Sequence, residues 1–332
     1  MTIVVWVLVT PFALWAVIRL SGLERGWLMV TGIAFTPYVA AGSVVPLAIA
    51  LATGRWWAAL VAAATAVALA TCAVPRMVGR PERGNGVTLR VLTANVFLGG
   101  ADPDALVGLV AQHRPDALAV QEYTPALARK LSAAGLDDLL PYRVVDAQPG
   151  GHGSALYSRY PLSAAESRVG VAGYRSTAAT LEVPGGPPVL VESAHPPAPY
   201  AAHQIGYWVT GQASLDRATP DGPLRLLAGD FNATLDHAAL RALIRSGYRD
   251  AASVVGRGGT PTWHGYWPGL PRSRVPGVTL DHVLADRRIG VRAVVVCSLP
   301  GSDHRPLFAE LILPGPPLAG WRPYAAGTGT NP

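Results

Sequence analysis

Several polar side chains in this sequence stand at the ends of apolar runs, and their types decide what chemistry is open to them. The clearest run is Leu226 to Asn232, L-L-A-G-D-F-N, a buried-strand pattern that stops at a glycine, Asp230 and Asn232. On extended chain Asp230 and Asn232 point to one side, and the glycine allows a tight turn or close approach of a ligand. Alone, the same residues read as an Asx-type turn at a strand end. The grammar recurs, however. Asn95 ends V-T-L-R-V-L-T-A-N, Glu122 ends D-A-L-A-V-Q-E and His195 ends V-L-V-E-S-A-H, while Asp281 lies in Thr279 to Leu284 and Asp303-His304 precede Leu307 to Leu313. Oxygen donors dominate and no thiolate joins them, which suits a hard divalent cation, Mg²⁺ or Mn²⁺, better than zinc. Such an ion neutralises phosphate oxygens, a carboxylate activates water, and an imidazolium stabilises or protonates what leaves. The set fits phosphoester hydrolysis; the sequence has neither a nucleophile-elbow serine nor a P-loop.

Positioning these groups requires strands that share a rim. Apolar runs at 87–96, 116–122, 154–160, 189–195, 226–232, 279–284, 291–298 and 307–313 read as strands, and Asp102 to Gln112, Tyr200 to Leu215 and His237 to Ser246 as helices. The connections do not all demand parallel crossovers, so two packed sheets flanked by helices are expected, with the polar residues gathered along one edge.

The chain divides near residue 84. It is 50% hydrophobic and 14% charged, and from Met1 to Gly79 Glu24 is the one acid. Thr2 to Leu20, Trp27 to Thr53 and Trp57 to Val74 are apolar enough to cross a bilayer core of roughly 30 Å, giving three transmembrane helices, with Pro37 either near one end of the second or kinking it. A signal peptide is the rival for the first, but it lacks a basic leading region. The expected plan is a membrane region at 1–79, a linker at 80–86, a catalytic domain at 87–314 and a flexible tail at 315–332. Six of the 27 Lys and Arg and two of the 21 acids precede Gly84, so the remainder carries 21 basic against 19 acidic residues, a balance of only +2. Nucleic acid is therefore allowed as a partner but not favoured. Cys72 and Cys297 lie in different regions and offer no disulfide framework. Arg19, Arg25, Arg76, Arg80 and Arg83 against Arg55 favour a cytoplasmic catalytic domain by the positive-inside rule.

T-A-N (93–95), Q-E (121–122), S-A-H-P-P (193–197), G-D-F-N (229–232), L-D-H (280–282) and S-D-H-R-P (302–306) resemble, in order and spacing, the endonuclease/exonuclease/phosphatase superfamily of DNase I-like enzymes. The resemblance covers about residues 87–314 and implies an α+β fold, a four-layer α/β/β/α sandwich. It implies Glu122 as principal metal ligand, assisted by Asn95 and Asp303, and Asp230 positioning or activating the water. Asn232 would bind the phosphoryl group, His304 would contact the scissile phosphate with Asp281 orienting it, and His195 would act on phosphate or leaving group. Phe97 stands where some members carry an acid, which argues against two metals, and His282 follows Asp281 where an aromatic is common; His282 reads as a satisfied buried histidine. The plan of N-terminal spans before this module is similar to bacterial membrane proteins of the teicoplanin-resistance type. That resemblance implies a multi-pass plasma-membrane protein, an extracytoplasmic catalytic domain and lipid-linked phosphate substrates, and it outweighs the arginine count. A membrane-tethered endonuclease or exonuclease acting on DNA is the alternative, and no protein partner can be inferred.

Other residues carry blander readings. Tyr157 and Arg159 read as structural, with phosphate contact the alternative for Arg159, and His113, His203 and His237 as surface residues; His152, in a Gly-rich turn, reads equally as solvent-exposed or functional, and Trp263 and His264 as loop packing, with a substrate pocket shaped by the aromatics as the alternative.

Overall fold

The computed structural model describes residues 2–264 and 276–315 of the chain; the expected tail, apart from Gly315, lies outside them. The N-terminal region folds as α1 (Thr2–Ser21), α2 (Gly26–Ile33), α3 (Thr36–Gly42), α4 (Val44–Ala52) and α5 (Trp56–Ala73). Two of these, α1 and α5, are individually long and apolar enough to cross a membrane. The expected second span is not one straight helix: α2 meets the α3 and α4 segment at 73°. Pro37 has no N–H for the Ile33 carbonyl, which instead accepts from Thr36 Oγ1 at 2.7 Å. The broken turn also leaves the Val30 carbonyl to His237 Nε2, at 2.8 Å.

Period-two alternation builds the rest. In β1 (Thr88–Asn95), Leu89 and Val91 enter one apolar cluster, whereas Leu92 and Ala94 enter another. Strand β8 (Leu224–Asp230) divides the same way, sending Leu224, Leu226 and Ala228 to the first cluster and Leu227 to a third. The shared cluster is the seam between two sheets. One sheet runs β11 (Gly290–Val296), β12 (Leu307–Ile312), β1, β2 (Ala117–Gln121), β4 (Ser154–Ser158), β3 (Tyr142–Asp146). The other runs β5 (Leu162–Val169), β6 (Arg175–Leu181), β7 (Val189–Ala194), β8, β10 (Asp281–Asp286), β9 (Tyr248–Asp250).

Helices roof both outer faces, giving the expected α/β/β/α layering. Leu106 and Val110 of α6 (Pro103–His113), Leu127 and Leu131 of α7 (Pro125–Ala133) and Leu136 of α8 (Leu136–Leu139) cover the first sheet. Trp208 of α9 (Ile205–Ser214) and Leu240 and Leu243 of α10 (Ala238–Arg245) cover the second, and the short α11 (Ala251–Val254) follows β9. The start signal read at Asp102 holds: its carboxylate accepts from the N–H groups of Asp104 and Ala105, with Pro103 in the first turn.

Among the described strands, β1 with β2 and β7 with β8 pair parallel, joined through α6 and α9, while the other neighbours are antiparallel. The two parallel pairs face each other across the seam through a buried polar rung. Thr93 Oγ1 donates to Gln121 Oε1 at 3.2 Å, and Gln121 Nε2 donates to Ser193 Oγ at 3.0 Å. The carboxyl ends of all four strands therefore meet at one rim.

The N-terminal helices dock on the second sheet's roof. Val30 of α2 shares a buried cluster with Trp208, Phe231 and Leu240. Arg19 Nε and Arg76 Nη2 converge on the buried Asp236 carboxylate at 2.8 and 2.7 Å. Segment 80–86 is tied down as well, since Glu82 pairs with Arg249 at 2.6 Å and accepts from the Val291 N–H at 2.9 Å.

Candidate active site

Alternation aims most of the site. Leu89, Val91, Thr93 and Asn95 share the seam face of β1, as do Leu224, Leu226, Ala228 and Asp230 in β8. The same count places Ser193 and His195 inward from β7, and Asp281 inward from β10 with His282 on the opposite face. In β2 it turns Gln121 inward and would turn the following residue out. Glu122 escapes because its φ is +60°, in the left-handed region, which swings the carboxylate back over the strand end. Four of the seven described non-glycine residues with positive φ are Phe97, Leu98, Glu122 and Asn232, so backbone strain is concentrated at this rim.

The side chains form one network. Asn95 Nδ2 donates to Glu122 Oε1 at 3.1 Å and to Asp230 Oδ2 at 3.0 Å, while its side-chain Oδ1 accepts from the Phe97 N–H at 2.9 Å. Asn95 thus bridges two carboxylates as a donor. Glu122 Oε2 also accepts from the Leu98 N–H at 2.6 Å. Asp230 Oδ1 accepts from the Asn232 N–H at 2.8 Å, and Asn232 Nδ2 donates to the Pro196 carbonyl at 3.0 Å. With φ of +47°, Asn232 is not extended; the Asx turn and the site are the same residues.

His304 Nδ1 meets Asp281 Oδ2 at 2.8 Å, and its Nε2 lies 3.5 Å from Asp230 Oδ2. Asp281 is fixed in turn by Thr262 Oγ1, which accepts from the N–H groups of Leu280 and Asp281 at 3.0 Å each. His195 Nε2 lies 3.8 Å from Asp230 Oδ2 and 4.0 Å from Glu122 Oε1, beyond hydrogen-bond reach, and its buried Nδ1 has no partner. Asp303 Oδ2 accepts from Trp263 Nε1 at 3.2 Å, whereas the buried Asp303 Oδ1 has no partner.

Electrostatics separate the two imidazoles. Burial pulls His304 down, but the carboxylates of Asp281 and Asp230 override it and push it up to about 10, so it is a cation at neutral pH. For His195 burial prevails over Asp230 and lowers it to about 4, so it is neutral. Burial raises Glu122 and Asp230, the latter against the opposing pull of His304.

Two sets of groups compete for a metal reading. Asp230, Asp281 and His304 offer ligand atoms within 4.8 Å of one another. The His304 cation already occupies Asp281 Oδ2 and faces Asp230 Oδ2, although the buried Asp281 Oδ1 has no partner. Glu122 and Asp303 fit a hard divalent cation better: both present carboxylate oxygens, the charge of Asp303 adds to the raising of Glu122, and Asp303 Oδ1 is a buried orphan.

These groups floor a cavity of about 700 Å³. Glu122, Asp230, Asn232, Asp303 and His304 line one part of it, and Trp27, Val30, Thr31, Ala34 and Phe35 of the N-terminal region another.

All eight residues singled out by sequence are thus brought together, and others join them. Tyr174 lies edge-on to His195 with ring centroids 5.1 Å apart, and its hydroxyl is pushed up to about 12, chiefly by burial. Nothing in its neighbourhood, G-V-A-G-Y-R, marks it. Trp263 is a donor to Asp303 rather than mere packing. His237, expected on the surface, is buried: its Nδ1 accepts from the Thr234 N–H at 2.8 Å and its Nε2 reaches Val30 across the interface with α2. His282 is the buried structural residue expected, its two nitrogens facing Asp250 Oδ1 and the Ala233 carbonyl at 3.0 Å each. Tyr157 is structural too, its hydroxyl paired with that of Tyr123. His203 and His152 are exposed, the latter against the Tyr174 ring.

Comparison with known proteins agrees with this architecture. A search of curated sequences finds no match. Among solved structures, an endonuclease/exonuclease/phosphatase family protein from Leptotrichia buccalis superposes with a TM-score of 0.53 at 18% identity, over 67% of this chain and 99% of that one. One from Beutenbergia cavernae gives 0.54 at 19% identity, over 69% and 72%. A D. rerio TDP2 humanised by 14 mutations gives 0.55 at 15%, over 68% and 98%. At these identities the likeness shows the fold. A model of the Endonuclease/Exonuclease/phosphatase family matches residues 92–304, which include all eight residues gathered at the rim. The chain therefore belongs to the endonuclease/exonuclease/phosphatase family and is a phosphoester hydrolase.

Proposed function

We propose that this hydrolase is anchored in the plasma membrane by its N-terminal helices and acts on a lipid-linked phosphate, whether monoester, diester or pyrophosphate. The observation that carries this reading is the two-sided cavity. Its polar floor suits a phosphate, and the wall built by Trp27, Val30, Ala34 and Phe35 suits an apolar chain attached to it. A groove for polymeric DNA would instead be lined by basic side chains.

Glu122 and Asp303 would hold Mg²⁺ or Mn²⁺, with Asn95 orienting Glu122. The ion, when bound, supplies positive charge against non-bridging phosphate oxygens. The protein does the rest. Asp230, held by Asn95 and the Asn232 N–H and raised by burial, orients the attacking water and takes its proton. His304, kept cationic and aimed by Asp281, donates to the phosphoryl oxygens, and Asn232 hydrogen-bonds the same group. His195, neutral and with its Nε2 3.8 Å from Asp230 Oδ2 and 4.0 Å from Glu122 Oε1, hydrogen-bonds the leaving oxygen.

With α2 to α4 taken as one bent crossing, the chain spans the bilayer three times and the catalytic domain is extracytoplasmic. The arginine count that opposes this orientation weakens once Arg19 and Arg76 are neutralised on Asp236. Arg25, Arg80 and Arg83 then remain against Arg55.

The test is metal-dependent phosphate release by purified full-length protein from a polyprenyl pyrophosphate, alongside plasmid DNA, with Asp230→Ala as control. Lipid turnover lost in the variant by about 10²–10⁴-fold supports the reading. DNA cleavage without lipid turnover sinks it in favour of a tethered nuclease.

A further inference from the structure

Between residues 87 and 314 the longest stretch without Asp, Glu, Lys or Arg is Ser193 to Leu215, 23 residues. It holds the loop 196–204 and helix α9, which from residue 200 onward turn one face to the surface. Tyr200, Tyr207 and Val209 are 65%, 47% and 51% exposed. Other helices of the domain behave differently: α6 exposes Asp104, α7 exposes Arg129 and Lys130, and α10 exposes Arg245. A surface helix normally directs charge to water. In α9 the outward positions are Gly206, Tyr207, Val209, Thr210, Ala213 and Ser214.

The neighbouring hairpin tip between β5 and β6 has the same character. Residues 169–174 read V-G-V-A-G-Y without a charge, and Val169 is 64% exposed. This uncharged surface is also continuous with the N-terminal helices. On its buried face Trp208 of α9 shares an apolar cluster with Val30 of α2, and its ring lies 5.3 Å from that of His237, which reaches the Val30 carbonyl. Alongside, Leu28 of α2 is 68% exposed. Pro199 and Tyr200 line the same cavity that Trp27 of α2 and Phe35, just past it, also line.

We propose that loop 196–204, the outer face of α9 and the hairpin tip form a second membrane-contact surface, which seats the catalytic domain on the headgroup layer. Two exposed tyrosines beside small and aliphatic residues, with no Asp, Glu, Lys or Arg to desolvate, are the composition of an interfacial contact. The occupant is the bilayer because the patch continues from α2, the helix that leads into the apolar bundle. The cavity mouth, bounded by Tyr200 and α2, then opens at headgroup depth, so a lipid reaches the site by lateral diffusion. This proposal rests on the reading of the N-terminal helices as membrane-spanning.

The test uses full-length protein in nanodiscs, with Cys72 and Cys297 replaced by serine and a single fluorescent label at Val209→Cys or Val169→Cys. Leu8→Cys reports the bundle, and Lys130→Cys reports the opposite side of the domain. With nitroxide-bearing lipids, the probes at 209 and 169 are expected to lose fluorescence as the probe at 8 does, while the probe at 130 does not. A quenched probe at 8 with unquenched probes at 209 and 169 overturns the proposal and leaves the membrane anchor intact. An unquenched probe at 8 overturns both. Disulfide cross-linking of Val209→Cys between copies without lipid quenching would make the surface a self-association face and overturn it likewise.

Discussion

Replacing Asp236 by Asn tests how the N-terminal helices are held to the catalytic domain. The carboxylate is fully buried and takes Arg19 on one oxygen and Arg76 on the other. Asparagine has the same shape but no charge, so two guanidinium groups, one from α1 and one from the segment after α5, would remain buried without a counter-ion. Removing one partner of a buried pair costs about 3–5 kcal/mol, which for a domain of this size lowers the melting temperature by about 6–20 °C. The comparison protein is the triple variant Arg19→Met, Arg76→Met, Asp236→Leu. It removes all the charges together, so no ion is stranded, and most of the lost stability should return. Thermal unfolding of detergent-solubilised full-length protein, followed by intrinsic tryptophan fluorescence, reads both. The reasoning is refuted if Asp236→Asn melts within about 2 °C of the parent, since the expected penalty then does not exist. It is also refuted if the triple variant is no more stable than the single one, because the cost would then arise from packing and not from stranded charge.

Two further outcomes follow from local geometry. Gly229→Ala should abolish folding or cost at least about 1–3 kcal/mol, because its Cβ would lie 1.9 Å from the Ala194 carbonyl oxygen of β7; Gly206→Ala, with open space around it, should instead stabilise by about 0.5–1 kcal/mol. Denaturant titration of the two variants separates these signs. For the His282 and Asp250 pair, burial opposes both charges, yet their mutual hydrogen bond and attraction prevail, raising His282 above 6.5 and holding Asp250 below 3.8. The stability from His282 is therefore complete below pH 6.5 and is lost as pH rises through its raised value, while that from Asp250 is lost only as pH falls through its depressed one. His282→Gln should flatten the decline in melting temperature above neutral pH, and an unchanged slope would refute the assignment.

How much of this was legible in sequence depends on whether local rules act alone. The strand ends at Asn95, His195, Asp230 and Asp281 were readable because alternation fixes both burial and direction, and His282 was readable as its mirror image. Gly229 was read as permission for a turn or a ligand; its φ is not positive, and its purpose is the close approach of β7. Asn232 was placed by extended geometry, although a left-handed turn puts it in the site by another route. His237 looked like a surface residue, and Asp236 drew no notice, because their partners, Val30, Arg19 and Arg76, lie more than 150 residues away. Tyr174 and Thr262 carry no local signal at all, since each is recruited by tertiary packing. The second span looked continuous in hydropathy, and Pro37 became a real break only through the contacts that replace the lost hydrogen bonds.

Glu122 shows why the site needs the whole fold. A glutamate one residue beyond the strand lies on the wrong face, and reaching Asn95 requires a left-handed conformation costing of order 1–3 kcal/mol. The flanking backbone overdetermines that turn: Val96 N–H donates to the Gln121 carbonyl at 3.1 Å and Tyr123 N–H to the Gly153 carbonyl at 3.1 Å. Tyr123 is itself fully buried and hydrogen-bonded to Tyr157. Gln121 is held at the same time by Thr93 and Ser193 across the seam. The strained residue is thus clamped on both sides by groups from β1, the Gly-rich turn before β4, and β7. The residue that places a carboxylate beside Asp303 is therefore the one whose position no single strand could dictate, which is why its chemistry was visible in the sequence and its geometry was not.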